Sequence, residues 1–181
     1  MNVRLLNLTL KTIPAALAAT VFLFSFSVSV PASAMSPATD GPVDRIIVEK
    51  SKRTMTLLKQ DKEVRTYKIA LGRNPEGPKV QKGDKRTPEG LYFVDYKVRK
   101  SIYHRALHLN YPNQDDIERA RSLGVTPGNS IMIHGMKQDK LWMGDVQYLF
   151  NWTNGCIALT NDEIEEVWNL VSIWTPVEIR P

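Results

Sequence analysis

The chain of 181 residues holds a single cysteine, Cys156, inside the stretch Trp152-Thr153-Asn154-Gly155-Cys156-Ile157-Ala158-Leu159-Thr160-Asn161. A free thiol has a pKa of about 8.5 and needs local help to act as a thiolate. Cysteine catalysis asks for a base near the sulfur, a group that orients the base, and donors aimed at the developing oxyanion. The run Ile131-Met132-Ile133-His134-Gly135 supplies the base candidate at its polar end. His134 is the group to take the proton, and the carbonyl of Gly135 the group to orient its ring. Gly155 lets the backbone approach closely, so the N–H groups of Gly155 and Cys156 are expected to face a reacting carbonyl oxygen. Losing one such donor commonly costs about 3 kcal/mol of transition-state stabilisation. Residues of these types at this spacing point to acyl transfer through a cysteine.

The elements that must position this pair read mostly as strands. Residues 44–49, 54–58 and 64–71 are short runs separated by turns at Ser51-Lys52 and Gln60-Asp61-Lys62, which predicts a meander. Residues 72–90 carry Pro75, Pro78, Pro88 and four glycines. A loop of that length inside a compact domain is commonly functional. Strands are expected again at 91–98, with Leu91, Phe93 and Tyr96 facing inward, and at 105–110, 130–134 and 177–179. Residues 113–123 read as a helix with Asp115 and Asp116 in its first turn and Gly124 closing it. Thr160 or Asn161 caps a second helix over 162–171, and 140–150 is a helix or an irregular lid. The expected fold class is mainly β, a β-rich sandwich or barrel with two or three short helices.

The start of the chain reads as an export signal. Arg4 and Lys11 precede an uncharged stretch from 13 to 30, and Ala32-Ser33-Ala34 fits a small-x-small cleavage site. The competing reading is an uncleaved anchor, since the apolar stretch is nearly long enough to span a bilayer. The expected organisation is a signal peptide at 1–34, a flexible leader at 35–43 and one catalytic domain at 44–181. With the signal cleaved, no membrane association is expected, and the protein is expected in the periplasm or cell envelope. An oxidising compartment favours disulfides, yet one cysteine forms no internal bridge. The formal net charge of +5 is modest, and no basic run or aromatic-interleaved basic stripe indicates nucleic acid.

His134-Gly135, a spacer, then Thr153-Asn154-Gly155-Cys156-Ile157 with Asn161 following resembles the signature of the YkuD-type L,D-transpeptidases. The segment Gly83-Asp84-Lys85-Arg86-Thr87-Pro88-Glu89-Gly90-Leu91-Tyr92 is similar to that family's Thr-Pro-x-Gly-x-Tyr/Phe motif. The resemblance implies a β-rich catalytic domain in which Cys156 attacks a stem-peptide carbonyl of peptidoglycan and His134 serves as base and then acid. It implies no cofactor and no metal. An amine of a second stem, or of a protein, would accept the acyl group; water would make the enzyme an L,D-carboxypeptidase or amide hydrolase. Two positions depart from the family pattern. The histidine before Gly-Cys is Asn154, whose amide still offers an oxyanion donor. The arginine two residues after the cysteine is Ala158, which removes a cation suited to a stem carboxylate. Arg86, His108, Thr153 and Trp152 are the expected substrate contacts, Trp152 as part of a cover with Trp142.

Two other classes are open at this stage. His104, His108, His134 and Cys156 are in principle zinc ligands, but 104 and 108 fall on a strand, where i and i+4 stand about 13 Å apart. A non-catalytic peptidoglycan-binding module is the other, favoured by the departures at Asn154 and Ala158.

Overall fold

The computed structural model describes residues 42–181. The expected signal at 1–34 and the leader at 35–41 lie outside the described residues. Val43 is only 4% exposed, so the packed domain begins inside the stretch expected to be a flexible leader.

Eight strands form one mixed sheet. β1 (Arg45–Glu49), β2 (Thr54–Lys59) and β3 (Lys62–Lys68) make the antiparallel meander expected from their turns. β4 (Gly90–Ser101) and β5 (His104–Leu109) form a long hairpin. β6 (Met132–His134) and β7 (Ile157–Ala158) are two short strands at the far edge, and β8 (Pro176–Arg180) closes the chain. The order is β3-β2-β1-β8-β4-β5-β6-β7. The terminal strand β8 joins the two halves, pairing parallel to β1 and antiparallel to β4. Register places Ala106 opposite His134, and His134 beside Ala158, so both reactive stretches belong to one sheet edge.

β4 faces the core with the opposite set of residues from the expected one. Tyr92 and Val94 are fully buried, whereas Leu91 is 52% and Tyr96 45% exposed. The pairing of Tyr92 with Val177 fixes this face, and the register shift between Val94 and Tyr96 then alters the alternation. A run with apolar residues on both faces does not reveal which face is covered. The Tyr92 hydroxyl donates to Asp116, which ties the sheet to α1 (Gln114–Ser122).

Both α-helices start with capping boxes: Asn113 with Asp116 in α1, and Thr160 with Glu163 in α2 (Asn161–Leu170). Ile164 and Val167 of α2 enter the core beside Leu107 and Leu109. Residues 138–149 form a 3-10 stretch broken at Gly144, so the expected helix or irregular lid is a kinked segment of tight turns. It is tied down where Arg53 Nη1 donates to the Tyr148 carbonyl and Gln147 Nε2 to the Ala158 carbonyl.

The long loop 72–90 is fixed rather than loose. Lys50, at the end of β1, is 4% exposed and reaches into it. Its ammonium donates to the carbonyls of Gly77 (2.7 Å) and Thr87 (3.0 Å) and to Glu89 Oε1 (2.7 Å). All three donors of the group are engaged, which offsets the cost of removing the charge from water. Lys50→Met leaves Glu89 and two carbonyls without that partner and is expected to destabilise the domain by about 3 kcal/mol. Urea unfolding of the purified domain measures this.

Candidate active site

The cysteine turn is held by backbone packing. Residues 70–73 run alongside it, with the Thr153 N–H donating to the Leu71 carbonyl and the Arg73 N–H to the Thr153 carbonyl. A Cβ on Gly72 would stand 2.1 Å from the Lys85 carbonyl oxygen, and one on Gly155 2.6 Å from that of Arg86. Gly155 also has φ +131°, a conformation that side chains resist. Only glycine fits at these two positions, one inside the loop 72–90 and one where the turn meets it.

Thr153 Oγ1 accepts the Gly155 N–H (3.1 Å) and donates to the Cys156 carbonyl (2.7 Å). This corrects one expectation: the Gly155 N–H is engaged within the turn rather than aimed at an oxyanion. Thr153 shapes the turn and also lines the recess that holds His134. The Cys156 N–H has no partner among the described residues' hydrogen bonds and is the main-chain donor left for an oxyanion. Asn154 Oδ1 accepts from Arg73 Nη1 at 3.4 Å, and Asn154 lines both recesses that meet at Cys156.

His134 is buried, 2% exposed. Its Nδ1 lies 2.6 Å from the Gly135 carbonyl, a bond in which Nδ1–H donates, so Nε2 carries the lone pair. Gly135 is held in turn. Its neighbour Met136 donates its N–H to Asn161 Oδ1 (2.8 Å), and a Cβ at 135 would meet that same oxygen at 2.7 Å. Tyr103 packs on the imidazole at 4.2 Å between ring centres, and Trp152 meets it edge-on at 5.7 Å. Burial pushes His134 down from 6.5 to about 4, with Lys137 adding to the effect and the Gly135 bond opposing it. Burial likewise pushes the Cys156 thiol up, against pulls from the Met132 backbone and the Lys79 ammonium. At neutral pH the pair is thus a thiol and a neutral imidazole, with Sγ–H directed at the Ser130 carbonyl 3.6 Å away.

Two recesses meet at Cys156 and Asn154. One, of about 270 Å³, holds His134, Tyr103, Trp152, Arg73, Lys137 and Lys140. The other, of about 390 Å³, is lined by Lys79, Lys82, Lys85, Asn129, Ser130 and Ile131. Sequence reasoning brought Cys156, His134, Gly135, Asn154 and Trp152 to this site. It missed Arg73, Tyr103, Lys79 and Ser130, which lie outside the strands and helices and carry no local motif.

Two expected contacts lie elsewhere. Arg86 lines neither recess: its Nη1 donates to the Pro78 carbonyl, its N–H to Asp84, and its own carbonyl packs on Gly155. His108 is paired with Asp95 (2.7 Å) and stacked on Tyr96 (4.3 Å). His104 is bound to Glu165, so the histidines considered as zinc ligands diverge. Among the described residues no three of His, Cys, Asp and Glu group as a metal site. Ala158 is fully buried in β7, where there is no solvent-facing room for the long cation that the family pattern carries there. Arg73, Lys137 and Lys140 supply positive charge to the adjoining recess instead.

A mixed sheet carrying a Cys–His pair at one edge is a known architecture. Residues 43–179 match the family model described as YkuD, the L,D-transpeptidase catalytic domain. The chain belongs to this family. YafK of Escherichia coli strain K12, provisionally named an L,D-transpeptidase, is 32% identical over 133 residues, covering 70% of this chain and 46% of YafK. YqjB of Bacillus subtilis strain 168, named likewise, is 27% identical over 138 residues, 74% of this chain and 69% of YqjB. Among solved structures, the helical cell shape determining protein Pgp2 of Campylobacter jejuni superposes with a TM-score of 0.59 at 27% identity. That match covers 77% of this chain and 48% of Pgp2. L,D-transpeptidase 3 of Mycobacterium tuberculosis shares the fold, with a TM-score of 0.52 at 20% identity over 78% of this chain and 61% of that one. The chain spans about half the length of YafK and of Pgp2.

Two outcomes test the site's construction. Gly155→Ala should cost about 2 kcal/mol through the clash and backbone strain. Gly83→Ala, where a Cβ meets nothing within 4 Å, should cost about 1 kcal/mol; chemical denaturation compares them. The second concerns pH. Above 6.5 the His134 ring is neutral in both folded and unfolded chains and adds no pH dependence. As pH falls from 6.5 to about 4 only the unfolded chain takes the proton, and stability drops by about 3 kcal/mol. Urea curves of His134→Gln across that window should lack this component.

Proposed function

We propose that this domain is an exported cysteine acyltransferase that performs L,D-transpeptidation on peptidoglycan stem peptides in the cell envelope. Family membership supports the activity class, and the signal-like pattern of residues 1–34 supports export. The observation that carries the reading is the position of Cys156 where two recesses meet, with His134 in one of them. A transferase needs such an arrangement, because the donor's acyl group must stay on sulfur while an acceptor approaches from another side. Both recesses are cation-lined, which suits stems that carry free carboxylates.

In the reaction, Sγ attacks the stem carbonyl as its proton passes to His134 Nε2. The Cys156 N–H and the Asn154 amide stabilise the oxyanion. The C–N bond breaks, the departing amine takes the proton from Nε2, and a thioester remains on Cys156. An acceptor amine then gives a proton to Nε2 and attacks the thioester, forming the new amide and releasing the thiol when that proton returns. A neutral imidazole is the state that this sequence requires at its first step.

Mass spectrometry of peptidoglycan fragments incubated with the protein tests this. A cross-linked or amino-acid-exchanged product is expected, and it should fall at least 10³-fold in Cys156→Ala and His134→Ala. Shortened stems alone would make the domain an L,D-carboxypeptidase or amide hydrolase, with water as acceptor. Binding without any product would make it a wall-binding module.

A further inference from the structure

Two buried lysines support the loop 72–90, Lys50 from the end of β1 and Lys79 from within it, and they differ in one respect. Lys50 gives all three of its ammonium donors to protein acceptors. Lys79 is equally buried, 4% exposed, but donates only to the Gln81 carbonyl (3.0 Å) and to Asp84 Oδ1 (2.6 Å). No other protein atom among the described residues accepts from it. An ammonium has three donors, and leaving one unused in a buried position is costly. Lys79 is also part of the wall of the larger recess, together with Cys156. Its charge lies close enough to draw the thiol toward thiolate.

Asp84 pairs with this ammonium but does not line the recess itself. Its two oxygens receive Lys79 Nζ and the N–H groups of Val80, Gln81 and Arg86, and it is not among the recess-lining residues. The acid fixes the lysine and turns away. Lys82 and Lys85 are exposed at the mouth of the same recess, where solvent screens them more strongly. A buried ammonium with one free donor, in the wall of the recess that Cys156 also lines, is suited to receive an anion there.

We propose that Lys79 is the specificity-determining residue of the site, binding the free carboxylate of the residue whose amide bond Cys156 breaks. This deepens the stem-peptide reading and rests on it for the ligand's identity. In a chain-terminal residue the carboxylate is joined to the departing nitrogen through one carbon, so it necessarily enters the space beside Sγ. Lys79 thereby directs Cys156 to the last peptide bond of a stem and disfavours internal or amidated ones.

The test uses two small alkylators of the full-length protein, iodoacetate and iodoacetamide. Both lose iodide to the same thiolate, but only iodoacetate carries a carboxylate next to the attacked carbon. The ratio of their rates is therefore blind to the thiolate fraction, which a merely structural effect would change. Relative to N-acetylcysteine, the protein is expected to favour iodoacetate by about tenfold. Lys79→Met should lose that excess, whereas Lys62→Gln/Lys100→Gln, exposed and outside both recesses, should keep it to within about threefold. No excess in the wild type, an excess retained in folded Lys79→Met, or an excess abolished by the surface pair would each overturn the proposal. If Lys79→Met does not fold, Lys79→Gln is read in its place by the same ratio. Absence of any peptidoglycan product would remove the transpeptidase reading without altering this ratio, so the two failures are distinct.

Discussion

The site depends on one close contact: the backbone carbonyls of Lys85 and Arg86 pressed against Gly72 and Gly155. Neither glycine tolerates a side chain. The consequence of the contact is that the loop 72–90 acts as the rigid wall of the cysteine turn. Lys50 secures that wall from β1, and Thr87 Oγ1 accepts the Gly72 N–H from within it (3.1 Å). Loops of this length usually carry a large conformational entropy. Here two buried ammonium groups and a carboxylate that accepts from four donors replace the hydrophobic core the loop lacks.

The same burial that fixes the geometry sets the protonation state. Enclosure by Tyr103, Trp152 and the sheet edge makes an imidazolium expensive, so His134 rests neutral. Enclosure of Cys156 makes a thiolate expensive for the same reason. A resting ion pair is therefore disfavoured. Such a resting thiol is less exposed to stray oxidants than a free thiolate would be. The Gly135 carbonyl and Asn161 carry the orienting role that a carboxylate has in other triads.

The cations divide between the two recesses that meet at Cys156. Arg73, Lys137 and Lys140 attend the histidine side, while Lys79, Lys82 and Lys85 attend the other. With Ala158 buried, the guanidinium absent from β7 has a counterpart in Arg73, which arrives from a neighbouring segment and touches Asn154. Charge near a reacting centre is thus supplied by different chain positions from those the family pattern names.

The sequence alone was enough for whatever depends on residue type and local spacing. Cys156, His134 and the flanking glycines stand in a motif because close backbone approach excludes other residues there. The meander and both helix starts were legible because turns and capping boxes are formed by neighbours within a few positions. The inward face of β4 was not, since apolar residues occupy both of its faces and the pairing with β8 decides between them. Arg86 and His108 show the same limit: their types suit an anionic ligand, but contacts with Pro78 and Asp95 from distant positions engage them. Lys50 and Lys79 are the clearest case. In sequence they are two ordinary lysines of a basic chain, and only the tertiary fold, by burying both and leaving one donor unused, separates a structural clamp from a binding group.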